Sequence, residues 1–546
     1  MKFKLHLLAW LGAASIFTGC SEKTSDENDA LIDGKEFAKH IAVLASDSLE
    51  GRKPFSAGEE KTINYLKNEF EKLGLQPGNG DSFFQKVPMV DIMSKPEGKL
   101  VFKGTGPAIE LNYLDDFVAA SRRVKEQVKL ENSEMIFVGY GIVAPEYGWN
   151  DYDGLDVKGK TVVVVVNDPG FWDPKLFKGK TMTYYGRWTY KFEEAARQGA
   201  AGVILIHDTK PASYGWAVVR SGWSKSKLYL QAEDDNMSRA AVEGWITMES
   251  AKKLFELAGV SDTLIQAAGK KGFKPVPLKV KASISLKNAI NRSESNNVLA
   301  VLPGTTRKDE YIIYSGHWDH FGKGEPIDGD SIYNGAADNA SGTAALLELA
   351  HAFTKLKTKP ARSILFLAVT AEEQGLLGSD YYASHPVYPI NKTVADINMD
   401  VLQPFGRMKD LILVGKGQSE LDEYADEAAA KQGRVTRGEP DPSGGWYFRS
   451  DHFNFAKVGI PSMYIENGSV SVERGEEWGE AQKKEYNDKR YHAPTDEYST
   501  DWDLTGIVED MQILFNVGVK LSNESTFPGW KKGSEFKVIR DKSMGK

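Results

Sequence analysis

An α/β fold with a mostly parallel central sheet and helices on both faces is what the second half of this sequence predicts. From residue 297 onward short apolar runs alternate with helical periodicity, the pattern that builds parallel sheets through crossover helices. Runs at 298–302, 311–315, 363–369, 394–398, 411–414 and 462–465 read as strands, and segments 343–356, 376–383, 421–431 and 504–521 read as helices. The residues able to do chemistry sit directly after these runs: His317, Glu372 and Asp400 each follow an apolar strand. In sheets of this type ligands gather beyond the carboxyl ends of the strands, so the three residues are expected to converge on one sheet edge.

The first half is organised differently. Residues 37–45 and 59–73 show helical periodicity, the second with Tyr65, Leu66, Phe70 and Leu73 on one face, and Glu50-Gly51-Arg52 lies in the polar loop between them. Near residue 110 the texture changes. Segments 135–143, 161–166 and 202–207 read as strands and 190–198 as a helix, an α/β unit of its own. The Trp- and Gly-rich stretch 171–223 has no clear period and, apart from that helix and strand, carries no assignment.

At 546 residues the chain exceeds one ordinary core, which predicts two domains. One comprises residues 36–108 and 285–525, the other is an insertion spanning 109–284, and 526–546 is expected as a C-terminal tail. A net charge of −8, a pI near 5.8 and the absence of a Lys/Arg cluster interleaved with aromatics argue against a nucleic-acid partner.

The first twenty residues are read as an address rather than as part of the fold. Lys2 and Lys4 precede an apolar run over 5–17, too short to span a bilayer, which ends in Phe17-Thr18-Gly19-Cys20. This resembles the lipobox of bacterial lipoproteins, with Cys20 as the lipidated first residue and Phe17 in place of the usual leucine. Ser21 resembles the pattern sorted to an outer membrane, and residues 21–35 are expected to be a solvated tether. The expected location is the bacterial cell envelope, lipid-anchored, periplasmic or surface-exposed; ordinary secretion is the alternative.

Cys20 is the single cysteine, so any zinc site in the mature protein must be built from imidazole and carboxylate. Six of the nine histidines lie between His317 and His492. Five fragments in this region supply such ligands: Gly316-His317-Trp318-Asp319, Gly335-Ala336-Ala337-Asp338-Asn339, Glu372-Glu373, Asn398-Met399-Asp400 and Tyr491-His492. Two histidines, two aspartates and a glutamate are the donor set that a pair of zinc ions requires, and one glutamate remains to act as a base. The residues alone therefore point to a hydrolase with two metals.

In this order the fragments resemble the zinc-dependent exopeptidase family of secreted bacterial aminopeptidases, which also holds glutamate carboxypeptidases and glutaminyl cyclases. The insertion, with Gly139-Tyr140-Gly141, Val157-Lys158-Gly159-Lys160 and Gly199-Ala200-Ala201-Gly202, is similar to the protease-associated domain that often interrupts such enzymes. The resemblance implies the phosphorylase/hydrolase-like zinc exopeptidase fold. It implies two zinc ions, one held by His317, Asp338 and Asp400 and the other by Asp338, Glu373 and His492, with Asp338 bridging. Glu372 takes the role of general base, Asp319 of the carboxylate that orients the His317 imidazole, Tyr491 of a phenol on the tetrahedral oxyanion, and Arg449 of a pocket arginine that positions substrate. The implied function is a metallo-exopeptidase that hydrolyses the N-terminal bond of peptides with a water activated by two zinc ions. Carboxypeptidase or glutaminyl cyclase chemistry and a non-catalytic receptor-like protein are the alternatives.

The other histidines have blander readings. His351 falls among Leu346, Leu347, Leu349 and Phe353 and is expected to be structural, while His320 and His452 stand beside site fragments as candidates for the pocket or for support of the ligands. Asp496 is expected to stabilise its loop.

Overall fold

The structure is a computed structural model and describes residues 29–546. The expected leader, Cys20 and most of the tether lie outside the described residues.

Two helices open the chain. Helix Gly34–Leu44 starts at Asp33, whose carboxylate accepts the N–H groups of Lys35 and Glu36, and it buries Phe37, Ile41 and Leu44 at helical spacing. Helix Ala57–Lys72 is capped by Ser56 and buries Thr62, Ile63, Leu66 and Phe70. Both pack on one face of the central sheet.

In that sheet strand Arg307–His317 lies parallel between Arg362–Val369 and Thr393–Asn398, and Ser462–Asn467 continues the parallel order beyond the latter. Antiparallel strands complete both sides: the end of Val276–Leu302 beside Arg362–Val369, and Asp410–Leu413 beside Ser462–Asn467. Every residue of Arg362–Val369 and Thr393–Asn398 is buried, as a sheet covered on both faces requires. Alternation divides the strands between two cores. Ile312, Tyr314, Ile364 and Phe366 pack with helices Gly342–Lys355 and Thr505–Asn523, whereas Ile313, Leu365 and Leu367 pack with Tyr382 and Phe455 on the opposite face.

The insertion carries its own parallel strands, Gln127–Phe137, Thr161–Val165, Gly202–Ile206 and Val242–Ile246, with Phe117–Ala120 antiparallel at the edge. Val163 and Ile204 point into one apolar cluster, Val162 and Val203 into another. The strand expected over 135–143 ends at Phe137. Gly139 and Gly141 follow with φ of 67° and 63°, and a Cβ at Gly141 would stand 2.8 Å from Val164, so the chain turns there instead of extending.

Two long strands join the units. Phe84–Pro96 pairs antiparallel with Val276–Leu302 from Phe84↔Val298 to Pro96↔Leu286. The second is 27 residues long and runs through the expected boundary at residue 285 without a break. Residues 526–546 are docked on the fold, not loose. Trp530 and Phe536 are buried with Tyr447 and Phe453, and Arg540 donates to the carbonyls of Ile390 and Thr393.

Candidate metal centre

Five of the expected site residues meet at the carboxyl edge of the central strands. His317 closes its strand fully buried, and its Nε2 lies 3.3 Å from Asp338 Oδ1 and 3.1 Å from Asp400 Oδ1. His492, with φ of 58°, places its own Nε2 3.2 Å from Asp338 Oδ2 and 3.3 Å from Glu373 Oε2. Asp338 thus shows each of its oxygens to a different imidazole. Ligand atoms of His317, Asp338 and Glu373 all lie within 4.8 Å of one another.

Backbone contacts hold the loop that carries Asp338. The Asp496 carboxylate accepts the N–H of Ala337 and of Asp338, at 3.1 and 3.0 Å, and its carbonyl accepts the N–H of Ala336. Asn339 ties this loop to the one bearing Asp400: its Nδ2 donates to the Met399 carbonyl at 2.9 Å, and its Oδ1 accepts the N–H of Gly342 and Val401. Ser450 donates to Asp400 Oδ2 at 2.6 Å. Arg52, fully buried, donates to the carbonyls of Trp318, Asn334 and Gly335 and so fixes the chain beside His317 and before Asp338.

Asp319 acts differently from the sequence expectation. Its carboxylate is 3.8 Å from His317 Nδ1 and instead accepts the N–H of Glu372 at 3.1 Å, while its backbone carbonyl stands 3.1 Å from Nδ1. The residue orients the imidazole through its main chain and the loop bearing Glu372 through its side chain. His320 sits behind Glu373, with Nδ1 2.5 Å from Oε1. Burial, aided by Arg52 and opposed by Asp338, holds this imidazole well below its ordinary range, so the ring that shares a hydrogen bond with Glu373 is neutral.

The electrostatics match a cation site. Burial, reinforced by Asp400, Asp451 and Asp338 and opposed by His317, raises the Glu372 carboxyl well above the usual carboxylate range. Burial and the charges of Asp338 and Glu372 raise Glu373 likewise. Asp338 is held well below that range: burial works against it, and hydrogen bonds from His317 and His492 prevail. So many buried carboxyls repel one another unless protons or cations stand between them. In a tetrahedral site with bonds of about 2.0–2.2 Å, ligand atoms are about 3.3 Å apart, and the 3.1–3.3 Å separations on both sides of Asp338 fit. Glu372 is not among those ligand atoms, its Oε2 being 4.0 Å from His317 Nε2.

Tyr491 stacks on His492 with ring centroids 3.7 Å apart. Burial and the carboxylates of Asp338, Glu373, Glu372 and Asp400 raise its phenol above the ordinary range, so the O–H remains a donor. Arg449 donates to the Gly444 carbonyl at 2.8 Å and lies over the Trp446 ring at 4.3 Å. His452 is a packing residue between Tyr447 and Tyr464, its pKa pushed down to about 3 by burial, and neither ring nitrogen has a hydrogen-bond partner. His351 lies 3.7 Å from Glu348, away from the centre.

Arg52, Asn339 and Ser450 were missed as supporting residues by sequence reasoning. Asn339 stands within a quoted motif, and its place beside Asp338 was the one available clue.

Residues 297–515 match the family model of Peptidase family M28. Aminopeptidase NAALADL1 of Mus musculus is 35% identical over 138 residues, 24% of this chain and 17% of its own. Aminopeptidase YwaD of Bacillus subtilis (strain 168) is 28% identical over 224 residues, 39% of this chain and 42% of its own, so the alignments span less than half of either relative. The solved aminopeptidase from Aneurinibacillus sp. strain AM-1 superposes with a TM-score of 0.46 at 20% identity, covering 91% of this chain and 96% of that one. The segment similar to peptidase family M28, residues 297–515, carries His317, Asp338, Glu372, Glu373, Asp400 and His492, so the similarity runs through the candidate metal centre.

Proposed function

We propose that this protein is a zinc-dependent aminopeptidase with two metal sites that removes N-terminal residues from peptides. The observation that carries the reading is the placement of Asp338, whose two oxygens face His317 and His492 at 3.3 and 3.2 Å. Ions about 3.5–4 Å apart need a shared anion, and this carboxylate is oriented to be one. The matched relatives that bear the name aminopeptidase support the same reading.

His317 and Asp400 would hold one cation with Asp338, and Glu373 and His492 the other. Bound there, the cations supply positive charge that polarises the scissile carbonyl and acidifies an attacking water. Glu372, outside both ligand sets and with its proton affinity raised, accepts the proton of that water and delivers it to the leaving amine. The Tyr491 phenol, kept protonated, donates to the oxygen on which charge develops. The carboxylates of Glu372 and Asp400 attract the free α-ammonium group, which favours an amino terminus over an internal bond. Cys20 as a lipid anchor would place the enzyme at the cell envelope, and residues 109–284 would serve as a protease-associated domain over the cleft.

The test is incubation of zinc-loaded protein with one set of peptides, free and N-acetylated, followed by mass spectrometry. Loss of N-terminal residues from the free peptides alone is expected. Trimming from the carboxyl end, or no cleavage, would overturn the reading.

A further inference from the structure

A line of buried polar side chains runs from the interior of the central sheet to the metal centre. Ser315 stands opposite Asn398 in the parallel pairing of their strands, and Asp396 precedes Asn398 by two residues, so the three side chains share one face of the sheet. All three are fully buried. Ser315 Oγ lies 2.7 Å from Asp396 Oδ1 and 3.2 Å from Asn398 Oδ1. Asn398 Nδ2 lies 2.7 Å from Ser450 Oγ, and Ser450 Oγ lies 2.6 Å from Asp400 Oδ2. The other oxygen of Asp400, Oδ1, faces His317 at 3.1 Å.

The hydrogens in this line can be assigned from the metal end. An ionised Asp400 only accepts, so the Ser450 hydroxyl donates to it. Ser450 then accepts from the Asn398 amide nitrogen, which leaves the Asn398 carbonyl oxygen turned to Ser315. That oxygen has the Ser315 hydroxyl as its hydrogen-bond partner, and a hydroxyl has one hydrogen to give. The 2.7 Å contact between Ser315 and Asp396 is then without a hydrogen unless Asp396 carries one.

The surroundings of Asp396 agree. Its Oδ2 is buried with no hydrogen-bond partner, and the titratable group acting on it is Asp451, another carboxyl. An ionised carboxylate placed there would have neither a cation nor a second donor, a costly arrangement that a neutral acid avoids. Burial and the Asp451 charge, against the Ser315 hydrogen bond, raise this carboxyl well above its ordinary range.

We propose that Asp396 is a positioning residue that, as a protonated acid, heads a one-way hydrogen-bond chain through Ser315, Asn398 and Ser450 and so holds Asp400 with one oxygen engaged and the other turned to the cation. Its effect on zinc rests on the metal-centre reading given above.

Two measurements test the chain. The infrared difference spectrum between wild type and Asp396→Asn at neutral pH should show loss of the C=O stretch of a protonated carboxyl, a band that carboxylates lack. Zinc affinity, read by competition with a chelating dye, should fall about ten-fold in Asp396→Ala and in Ser315→Ala, the lower end of what loss of support behind a ligand causes. Asp396→Asn, whose amide still donates to Ser315, should retain the wild-type affinity. In a Ser450→Ala background, where the last link is gone, neither alanine substitution should lower the affinity further. If Asp396→Ala perturbs folding, Ser315→Ala carries the same comparison. Absence of the band, a loss in Asp396→Asn equal to that in Asp396→Ala, or the same loss with and without Ser450 overturns the chain. Wild-type protein that shows the band but binds no zinc removes the metal-centre reading alone.

Discussion

The Asp496 carboxylate accepts the backbone N–H of Asp338 at 3.0 Å, and through this contact a residue with no place among the metal-facing atoms sets the position of the one between both imidazoles. It also accepts the N–H of Ala337. Asp496→Ala leaves two buried donors unsatisfied, which costs on the order of 2–4 kcal/mol, and loosens the loop that aims Asp338. Zinc affinity should fall about 10–100-fold, as loss of support behind a ligand generally causes. Thermal unfolding and competition with a zinc-binding dye measure the two effects; wild-type zinc affinity in the variant would remove Asp496 from this role.

Glu372 and Glu373 are neighbours in sequence with different surroundings. Glu373 lies 3.3 Å from His492 Nε2, and Glu372 stands outside the ligand atoms. Glu372→Gln should therefore keep both metals and lower kcat by about 10²–10⁴-fold, the span assigned to a positioned acid–base group. Metal analysis beside turnover decides it. Substantial activity in the variant would take the base role from Glu372, and loss of a metal would make it a ligand.

His492→Ala removes the ring that faces Asp338 Oδ2 and Glu373, leaving His317, Asp338 and Asp400 in place. Bound zinc should fall from two ions to one per chain, with turnover lost. Asp319→Asn makes a contrasting case, because its carboxylate holds the Glu372 N–H and not the imidazole. That variant should keep both ions and lose turnover through a misplaced base. Equal zinc contents in the two variants would contradict the division of roles.

The gathering of His317, Asp338, Glu373, Asp400 and His492 was legible in the sequence because each of its fragments is local: a strand end, a turn or a loop start within a few residues of the side chain concerned. What supports it was not local. Arg52 reaches the carbonyls of Leu44, Trp318, Asn334 and Gly335, contacts that only tertiary structure creates. Strand Val276–Leu302 was read only at its apolar end, although upstream the alternation of buried Leu278, Val280, Ala282, Ile284 and Leu286 with more exposed neighbours is a period-two signal that the sequence reading passed over. Strand Phe84–Pro96 carried no assignment from sequence, and it holds Pro88 within its pairing, opposite Glu294. Trp530 and Phe536 looked like parts of a tail because the cluster they complete is built from residues 182, 412 and 447 onward.

A last prediction concerns Glu348, a buried carboxyl away from the metal-facing residues. Its Oε1 accepts the N–H of Asp33 at 2.5 Å, and its Oε2 has no partner. Burial, opposed by that hydrogen bond and aided by the charges of Asp33 and Glu36, pushes its pKa up to about 7. The folded state therefore binds the proton more tightly than the unfolded state, where the group titrates near 4.5. Between these values folding takes up a proton, so this contribution to stability is complete below pH 4.5 and is lost as pH rises through 7. Glu348→Gln keeps an acceptor for Asp33 and removes the charge. The variant should exceed the wild type in stability by on the order of 1–3 kcal/mol at pH 8, and the two should converge below pH 4.5. Metal loss in acid affects both proteins alike, so the difference between their urea midpoints across pH 4–8 isolates this one carboxyl. A difference that stays constant over that range would mean that the Glu348 proton is not linked to folding.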